Sequence, residues 1–199
     1  AQLESNPFAN AYNILENGSF ERGLNNWDRT AGVYSVGNSV FNMNRSIQMR
    51  GGLDSSRYAK QNVTVKTGRN TRETFTLSGW AKGDGIVNRE RNNANAPRFC
   101  LRAVIRYFDT YFKEYGSETY TADFSPCTEE WQFASIQFAK KKFRMIYNIT
   151  VYCDYSYNIG TAYFDNVQLV RDNIETHLSA EDFVETSTDT GDSADGSED

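Results

Sequence analysis

Short runs of alternating apolar and polar residues recur along most of the chain and predict strands. Val, Ile, Thr, Tyr, Phe and Trp are concentrated in these runs, and turn-forming residues separate them. This spacing is typical of an all-β sandwich or barrel, and helical periodicity is weak. The predicted strands are GVYSV, RSIQMR, RYAKQNVTV, RETFTLSGWAKG, RFCLRAVIRYF, ETYTADF, WQFASIQFA, RMIYNITVYCDY and TAYFDNVQLV.

Period-two alternation assigns two sides to three of these strands. The sides predicted to face the core carry Phe75, Leu77, Gly79 and Ala81, then Phe99, Leu101, Ala103, Ile105 and Tyr107, then Tyr147, Ile149, Val151 and Cys153. The opposite sides mix aromatic, charged and hydroxyl groups, namely Trp80, Lys82, Arg102, Arg106, Thr150, Tyr152 and Asp154. Aromatic rings beside guanidinium donors suit a ligand with flat apolar faces and many hydroxyls, such as a sugar chain.

The charge of the chain is concentrated at its C-terminus. The formal net charge is -5, with 26 acidic and 21 basic residues. Residues 185–199 hold six of the acids and no Lys or Arg, so the remainder has a net charge near +1. A nearly neutral domain gives no support to binding of nucleic acid or of an anionic membrane. We expect 176–199 to be an acidic flexible tail or linker, with 178–185 as the best, marginal helix candidate.

Few residues are suited to catalysis or to a covalent framework. Cys100, Cys127 and Cys153 are too few for a disulfide scaffold, and the sequence leaves all three pairings open beside the reduced state. His177 is the only histidine, which argues against His-based triads and metal sites. A glycosidase needs two carboxylates that face each other across one cleft. The adjacent residues Glu129 and Glu130 would instead point to opposite sides of a strand. We therefore expect no enzymatic activity.

Four motifs carry a resemblance to a known family. The first motif, NILENGSFERGLNNW at 13–27, matches an Asn-Gly-x-Phe-Glu-x-Gly-x-x-x-Trp pattern. Three further motifs come after it along the chain, in the order FTLSGWAKG, EEWQFASIQFA and YFDNVQLV. This series resembles the β-jelly-roll carbohydrate-binding modules of families 4, 9 and 22, in which the first motif begins the first strand. It is also similar to modules beside Rhs-type repeats in large secreted bacterial proteins. The resemblance implies an antiparallel β-sandwich with jelly-roll topology.

The resemblance also implies a structural calcium ion between the first and last strands. The matching positions are the side chains of Glu21 and Asp165, main-chain oxygens near Ser19, and carbonyls of the turn MRGGLDSSR at 49–57. Six to eight hard oxygen ligands, drawn from carboxylates and carbonyls, are the set that Ca²⁺ prefers. The alternative is that Glu21 and Asp165 accept hydrogen bonds from backbone N–H groups, or that Glu21 pairs with Arg22.

In several modules of this type, the tryptophan that matches Trp80 stacks on sugar, and the position that matches Tyr152 lines the cleft. The predicted ligand-binding residues are therefore Trp80, Tyr152, Lys82, Arg102 and Arg106, on one concave sheet face. The alternative for Trp80 is burial beneath the 83–97 loop as secondary core. For Arg102 and Arg106 it is a solvated, salt-bridged surface.

The expected function is non-catalytic binding of a polysaccharide or glycan chain. The alternative is a structural or adhesive jelly-roll domain of a bacterial surface protein with no sugar ligand. We expect an extracellular, secreted or cell-surface location, neighbouring modules in the same polypeptide, no nucleic-acid partner and no membrane insertion. The domain is assigned to 13–175, after a lead-in at 1–12 and before the tail at 176–199.

Overall fold

A computed structural model describes residues 13–87, 96–108, 111, 113–126 and 128–172. Every regular element in these ranges is a strand, and none of these residues forms a helix long and apolar enough to cross a bilayer. The predicted helix at 178–185, the lead-in and the tail lie outside the described residues. The strands are β1 (Asp28–Arg29), β2 (Val33–Val36), β3 (Ser46–Arg50), β4 (Tyr58–Thr64), β5 (Thr74–Val87), β6 (Arg98–Phe108), β7 (Glu114–Asp123), β8 (Gln132–Ala139), β9 (Met145–Ser156) and β10 (Ile159–Asp172).

The strands form two five-stranded sheets in which hydrogen-bonded neighbours run antiparallel. The first sheet has the order β2-β3-β10-β5-β8, and the second has the order β1-β4-β9-β6-β7. Each of the nine predicted segments forms a strand. The two-residue β1 was not predicted, because so short a segment carries no periodicity. The start of β7 was also missed, since its first residues are polar and their pairing with β6 places them in the sheet.

The two sheets enclose one hydrophobic core, which confirms the predicted sandwich. Phe99 of β6 meets Phe164 of β10 with ring centroids 5.6 Å apart in an edge-on arrangement, so contacts of this kind join the sheets. Gly79 lies where the sheets approach closely: an added Cβ would stand 3.0 Å from the Leu101 side chain. Burial of these inward side chains is the main source of the fold's stability. The predicted inward residues of β5 and β6 are all buried.

One inward assignment was wrong. Tyr147 is 38% exposed, whereas its neighbour Ile146 is buried. The pairing of β6 with β9 shifts register between Arg106 and Tyr107, and Ile146 rather than Tyr147 pairs with Tyr107. A β-bulge of this kind reverses the side on which later residues lie. Strict alternation therefore holds for Ile149, Val151 and Cys153 but fails beyond the bulge.

The opening motif forms consecutive turns rather than the start of a strand. Asn13 makes an isolated bridge to Val170, and Ile14 donates its N–H to the carbonyl of Leu169 at 2.9 Å. Gly18 packs against β10 so closely that an added Cβ would lie 2.0 Å from the carbonyl oxygen of Val167. Only glycine fits at this contact. The motif thus fastens the beginning of the domain to its last strand.

Cys100 and Cys153 are both buried and make no disulfide bond, while Cys127 lies outside the described residues. Burial, with added repulsion from Asp154, raises the pKa of the Cys100 thiol to about 12. A thiol in this state is unreactive at neutral pH. These two cysteines are reduced packing residues, which was the alternative to a disulfide bond in the sequence analysis.

Candidate functional site

The predicted ligand-binding residues lie on opposite sides of the molecule. Trp80 and Lys82 belong to β5 of the first sheet, while Tyr152, Arg102 and Arg106 belong to β9 and β6 of the second. The prediction that they share one face was wrong. Alternation shows which side of its own strand a residue occupies, but it does not show which of two sheets the strand joins. The outward sides of the two sheets point away from each other.

The outer side of the second sheet brings Tyr152 together with two of its predicted partners. We call this surface the tyrosine face and define it by Tyr58, Lys60, Arg102, Arg106 and Tyr152. The strand register places Lys60 and Arg102 on either side of Tyr152, in β4 and β6. The rings of Tyr58 and Tyr152 meet edge-on with centroids 5.5 Å apart. Both rings are partly exposed.

A buried carboxylate organises this face. Asp154 is fully buried and forms ion pairs with Arg98 and Arg102, each with an N–O distance of 3.0 Å. Ser156 donates its hydroxyl proton to the other carboxylate oxygen. The sequence pattern correctly placed Asp154 on the outer side of β9 but did not show that it is enclosed. Paired and hydrogen-bonded in this way, a buried charge fixes the positions of its partners.

Arg102 also covers Tyr152. Its guanidinium carbon lies 3.8 Å from the ring centroid, a close cation–π contact. One side of the tyrosine ring is therefore occupied by a cation that Asp154 holds in place. Arg106 of β6 is exposed and lies in register with Asn148 of β9. The sequence reasoning missed Tyr58, Lys60 and Arg98, which only the register of β4 and β6 against β9 brings to this surface.

Beyond Arg106, the outer end of the second sheet borders a cavity of about 860 Å³. Phe108, Tyr147, Lys66 and Asn148 contribute to its lining. The rings of Phe108 and Tyr147 meet edge-on at 5.9 Å. None of the five predicted ligand-binding residues lines this space, although Asn148 lies beside Arg106.

The outer side of the first sheet carries a second aromatic cluster, which we call the tryptophan face. It consists of Phe41, Trp80, Lys82, Trp131 and Phe133. Phe41 and Trp80 are stacked with ring centroids 3.8 Å apart and planes 13° apart, so one side of the indole is covered. Phe133, 56% exposed, lies 5.4 Å from Trp80 in a tilted arrangement. Lys82 points its ammonium group over the rings of Trp131 and Tyr163 at 5.8 and 5.6 Å.

The residue that covers Trp80 is Phe41, from the connection between β2 and β3. The alternative raised from the sequence assigned this role to the 83–97 loop, of which 88–95 lie outside the described residues. Trp80 is intermediate in exposure. It is therefore neither a fully open platform nor a core residue.

The two carboxylates predicted to bind metal both hold this same connection. Asp165 accepts the N–H groups of Phe41 and Asn42 at 2.9 and 3.0 Å on one oxygen and that of Asn166 at 2.7 Å on the other. Glu21 accepts the N–H groups of Asn44 and Arg45 at 2.9 and 2.8 Å. The backbone hydrogen bonds anticipated as an alternative to metal are thus present. On each carboxylate one oxygen already accepts two of these bonds, whereas Oδ1 of Asp165 and Oε2 of Glu21 each accept one and keep lone-pair capacity.

The electrostatics of the pair leave room for a cation. Burial raises the pKa of Asp165 to about 6, the three backbone hydrogen bonds oppose this shift, and the negative charge of Glu21 adds to it. Neither carboxylate forms an ion pair with a described Lys or Arg. Two adjacent carboxylates without a countercharge suit a divalent cation with oxygen ligands. No cluster of three or more His, Cys, Asp or Glu residues that could hold a metal ion occurs in the described ranges.

The other predicted metal ligands divide into two groups. Ser19 lines a small cavity of about 240 Å³ together with Glu21, Arg22 and Gly18, so it lies near one of the two carboxylates. The turn at 49–57 does not. It bonds to the turn between β9 and β10, through Gly51 to Gly160 and Tyr157 to Ser55, whereas Glu21 and Asp165 bond to the segment before β3. The strand β3 separates the two, and the expectation of carbonyl ligands from 49–57 was wrong.

Comparisons with known proteins give two kinds of similarity. No family model matches the chain. The tRNA3(Ser)-specific nuclease WapA of Bacillus spizizenii is 25% identical over 178 residues, and the tRNA nuclease WapA of Bacillus subtilis strain 168 is 24% identical over 180 residues. In both cases the match covers 88% of this chain but only 7% of the relative. The nuclease names thus describe proteins of which this chain spans a small part.

Solved structures share the architecture at low sequence identity. A family 16 carbohydrate-binding module superposes with a TM-score of 0.53 and 17% identity over 79% of this chain and 99% of the module. A structure of Clostridium thermocellum xylanase 10B contains a family 22 carbohydrate-binding module and a catalytic module in complex with xylohexaose. It superposes with a TM-score of 0.52 and 14% identity over 81% of this chain and 29% of that chain. The enzymatically active domain of tailspike protein 4 of bacteriophage CBA120 superposes with a TM-score of 0.56 and 17% identity, and the match covers 81% of this chain and 22% of that chain. The chain has the jelly-roll sandwich fold. This confirms the predicted fold class.

Proposed function

We propose that this chain is a non-catalytic carbohydrate-binding module that holds a polysaccharide or glycan chain against its tyrosine face. The observation that carries the proposal is the arrangement of Tyr58, Tyr152 and Arg102 on the outer side of one sheet, in a fold shared with carbohydrate-binding modules. Pyranose rings present apolar C–H groups on their faces and hydroxyl groups at their edges. Aromatic rings and fixed N–H donors match these two features.

Within this proposal, Asp154 and Arg102 act as supports. Asp154 fixes the guanidinium group over Tyr152, so the ring and the nearest donors are held in place before a ligand arrives. Such preorganisation reduces the entropy lost on binding. Lys60 and Arg106 add donors on either side. Trp80 and Lys82, on the opposite sheet, do not contact the same sugar ring.

We further propose that a calcium ion stabilises the domain at Glu21 and Asp165, with main-chain oxygens near Ser19. Two adjacent carboxylates with no ionic partner among the described residues support this assignment. The ion would supply positive charge where burial and mutual repulsion disfavour two negative groups. Its role would be structural, because these residues lie on the side of the first sheet, away from the tyrosine face.

A second candidate is a structural or adhesive jelly-roll domain without a sugar ligand. Two contacts favour it, because the stack of Phe41 on Trp80 and the guanidinium group of Arg102 on Tyr152 each cover one side of a ring and make that side less available to sugar. Under either candidate, we propose an extracellular or cell-surface location and neighbouring modules in one longer polypeptide. The chain's match to a small part of two long bacterial proteins supports the multimodular arrangement.

Calorimetric titration tests the choice between the two candidates. Soluble β-glucan, xylan and mannan oligosaccharides are titrated into the wild type, Tyr152→Ala and Trp131→Ala. The carbohydrate-binding proposal expects binding of at least one glycan by the wild type and by Trp131→Ala, and its loss in Tyr152→Ala. A broad glycan array with no bound member would favour the structural candidate.

A further inference from the structure

The ion-pair cluster on the tyrosine face has an excess of positive charge. Arg98 and Arg102 both bind one buried carboxylate, Asp154, so two cations share one anion. The side chains of Arg98 and Arg102 are 35% and 21% exposed, whereas that of Asp154 is fully buried. The negative charge is thus enclosed, and the positive groups face the surface. A second anion from solvent or from a ligand would complete the pairing.

The other charges on this side of the sheet are arranged by strand. Lys60 of β4 and Arg106 of β6 are basic, and these two strands flank the central strand β9. The remaining acids on this side are Asp28 on β1 and Glu114 and Asp123 on β7, and both of these strands are edge strands. Asp28 lies in register with Lys60. The face is therefore positive along its centre and negative at its margins. Such a pattern attracts an anionic group to the centre and disfavours one at either edge.

The geometry of Arg102 defines where that group would bind. Its Nε and Nη2 atoms engage Asp154 at 3.1 and 3.0 Å, and its Nη1 atom has no hydrogen-bond acceptor among the described residues. The guanidinium plane lies over the Tyr152 ring. A guanidinium edge offers parallel N–H donors that match the oxygens of a carboxylate, sulfate or phosphate. An oxyanion at this edge would lie beside the tyrosine ring.

We propose that the glycan bound by the tyrosine face is acidic, a sugar chain that carries an oxyanion placed at Arg102 while its ring contacts Tyr152. This inference rests on the proposed function and specifies its ligand class. The oxyanion could be the carboxylate of a uronic acid or a phosphate or sulfate ester, since all three share planar or tripodal oxygen acceptors. Lys60, in register with Tyr152 on the other side, would contact the same chain.

A nucleic acid fits this surface less well than an acidic glycan. Strong nucleic-acid binding depends on many phosphate contacts made by a continuous basic surface. Here the excess charge is confined to the middle of one sheet, and acids lie on both edge strands. A glycan with separated charges and apolar ring faces matches both the isolated arginine cluster and the tyrosine rings.

Affinity measurements on matched polymers test the inference. The wild type is titrated with glucuronoxylan and with the same polymer after carboxyl reduction, which removes charge but keeps the backbone. A phosphate-bearing mannan and its dephosphorylated form make a second pair and distinguish the two oxyanion sources. We expect the acidic member of at least one pair to bind about tenfold more tightly, equivalent to ~1.4 kcal/mol. The difference should shrink at about 1 M NaCl, where the Debye length is ~3 Å.

Variants locate the charge effect. Arg102→Gln should lose the preference for the acidic polymer, but it also leaves Asp154 with a single partner and can affect folding. Lys60→Gln, which does not touch Asp154, is therefore the second variant and should reduce the preference several-fold. Arg50→Gln is the matched control, because Arg50 also lies over a tyrosine, Tyr34 at 5.4 Å, but on the opposite sheet. It should leave the preference unchanged.

Each outcome decides a specific point. Equal affinity for the charged and uncharged members of both pairs overturns the acidic-ligand inference and leaves glycan binding intact. An absence of binding to all four polymers and to a glycan array contradicts the proposed function as well. Tighter binding of transfer RNA than of any glycan overturns the inference in favour of a nucleic-acid partner.

Discussion

Asp165 and Phe41 are joined by a hydrogen bond of 2.9 Å from the backbone N–H of Phe41 to the buried carboxylate. The Phe41 ring in turn stacks on Trp80, which pairs with Asp165 across β5 and β10. The carboxylate predicted to bind metal and the tryptophan predicted to bind sugar are therefore connected through one residue. Changes at the carboxylate pair should reach the tryptophan face by way of the segment before β3.

The stacked pair should be visible as an energetic coupling. Trp80→Ala and Phe41→Ala should each lower the free energy of unfolding by roughly 1–3 kcal/mol, because both side chains are partly buried. The double variant should be less destabilised than the sum, with a coupling near ~1 kcal/mol. Denaturant melts of the four proteins measure it. Phe133→Ala paired with Phe41→Ala is the control. Strict additivity for Phe41 and Trp80 would mean that the stack contributes nothing.

Metal-free protein should lose stability as the pH rises through the acidic range. The folded-state pKa of Asp165 is about 6, against an ordinary value of 3.8. Between these values the folded state binds more protons than the unfolded state, so the free energy of unfolding falls as the pH rises. The loss, on the order of 3 kcal/mol, should be complete above pH ~6. Urea unfolding of wild type and Asp165→Ala in EGTA measures the difference. Parallel pH profiles would contradict the shift.

Calcium should restore the stability lost above that pH. Binding to the folded state alone contributes ~3 kcal/mol at a hundredfold excess over the dissociation constant. Glu21→Gln is an informative variant, because its amide oxygen can still accept the N–H groups of Asn44 and Arg45 while the charge is gone. It should keep the melting temperature of the metal-free wild type and lose the response to calcium. A wild type with the same melting temperature in calcium and in EGTA would refute the site.

The fold was largely predictable from the sequence, because strand patterning depends on local alternation. The β5 and β6 segments were assigned to the correct inward residues on that basis alone. Tyr147 was not, since a bulge depends on pairing with a second strand rather than on the strand's own residues. The prediction that Trp80 and Tyr152 share one binding face was wrong for a similar reason. Trp80 and Tyr152 have equivalent patterns, and only the strand order separates them into two sheets.

Contacts between distant segments were the least predictable part of the site. Phe41 lies in a connection without periodicity, so nothing in its sequence indicates that it covers Trp80. Arg98 and Arg102 resemble solvated surface residues, and their role follows only from the burial of Asp154 between them. The carboxylates Glu21 and Asp165 were found through the family resemblance. Their hydrogen bonds to the segment before β3 become apparent only in three dimensions.

Amide chemical-shift mapping during a glycan titration locates the ligand on the wild-type protein without any substitution. If the glycan binds the tyrosine face, the shifts should concentrate at Lys60, Arg102 and Tyr152 and their strand neighbours, while Lys82 and Phe133 stay unchanged. Shifts confined to the tryptophan face would place the glycan on the first sheet and contradict binding at the tyrosine face. A spectrum that no glycan alters would contradict carbohydrate binding itself.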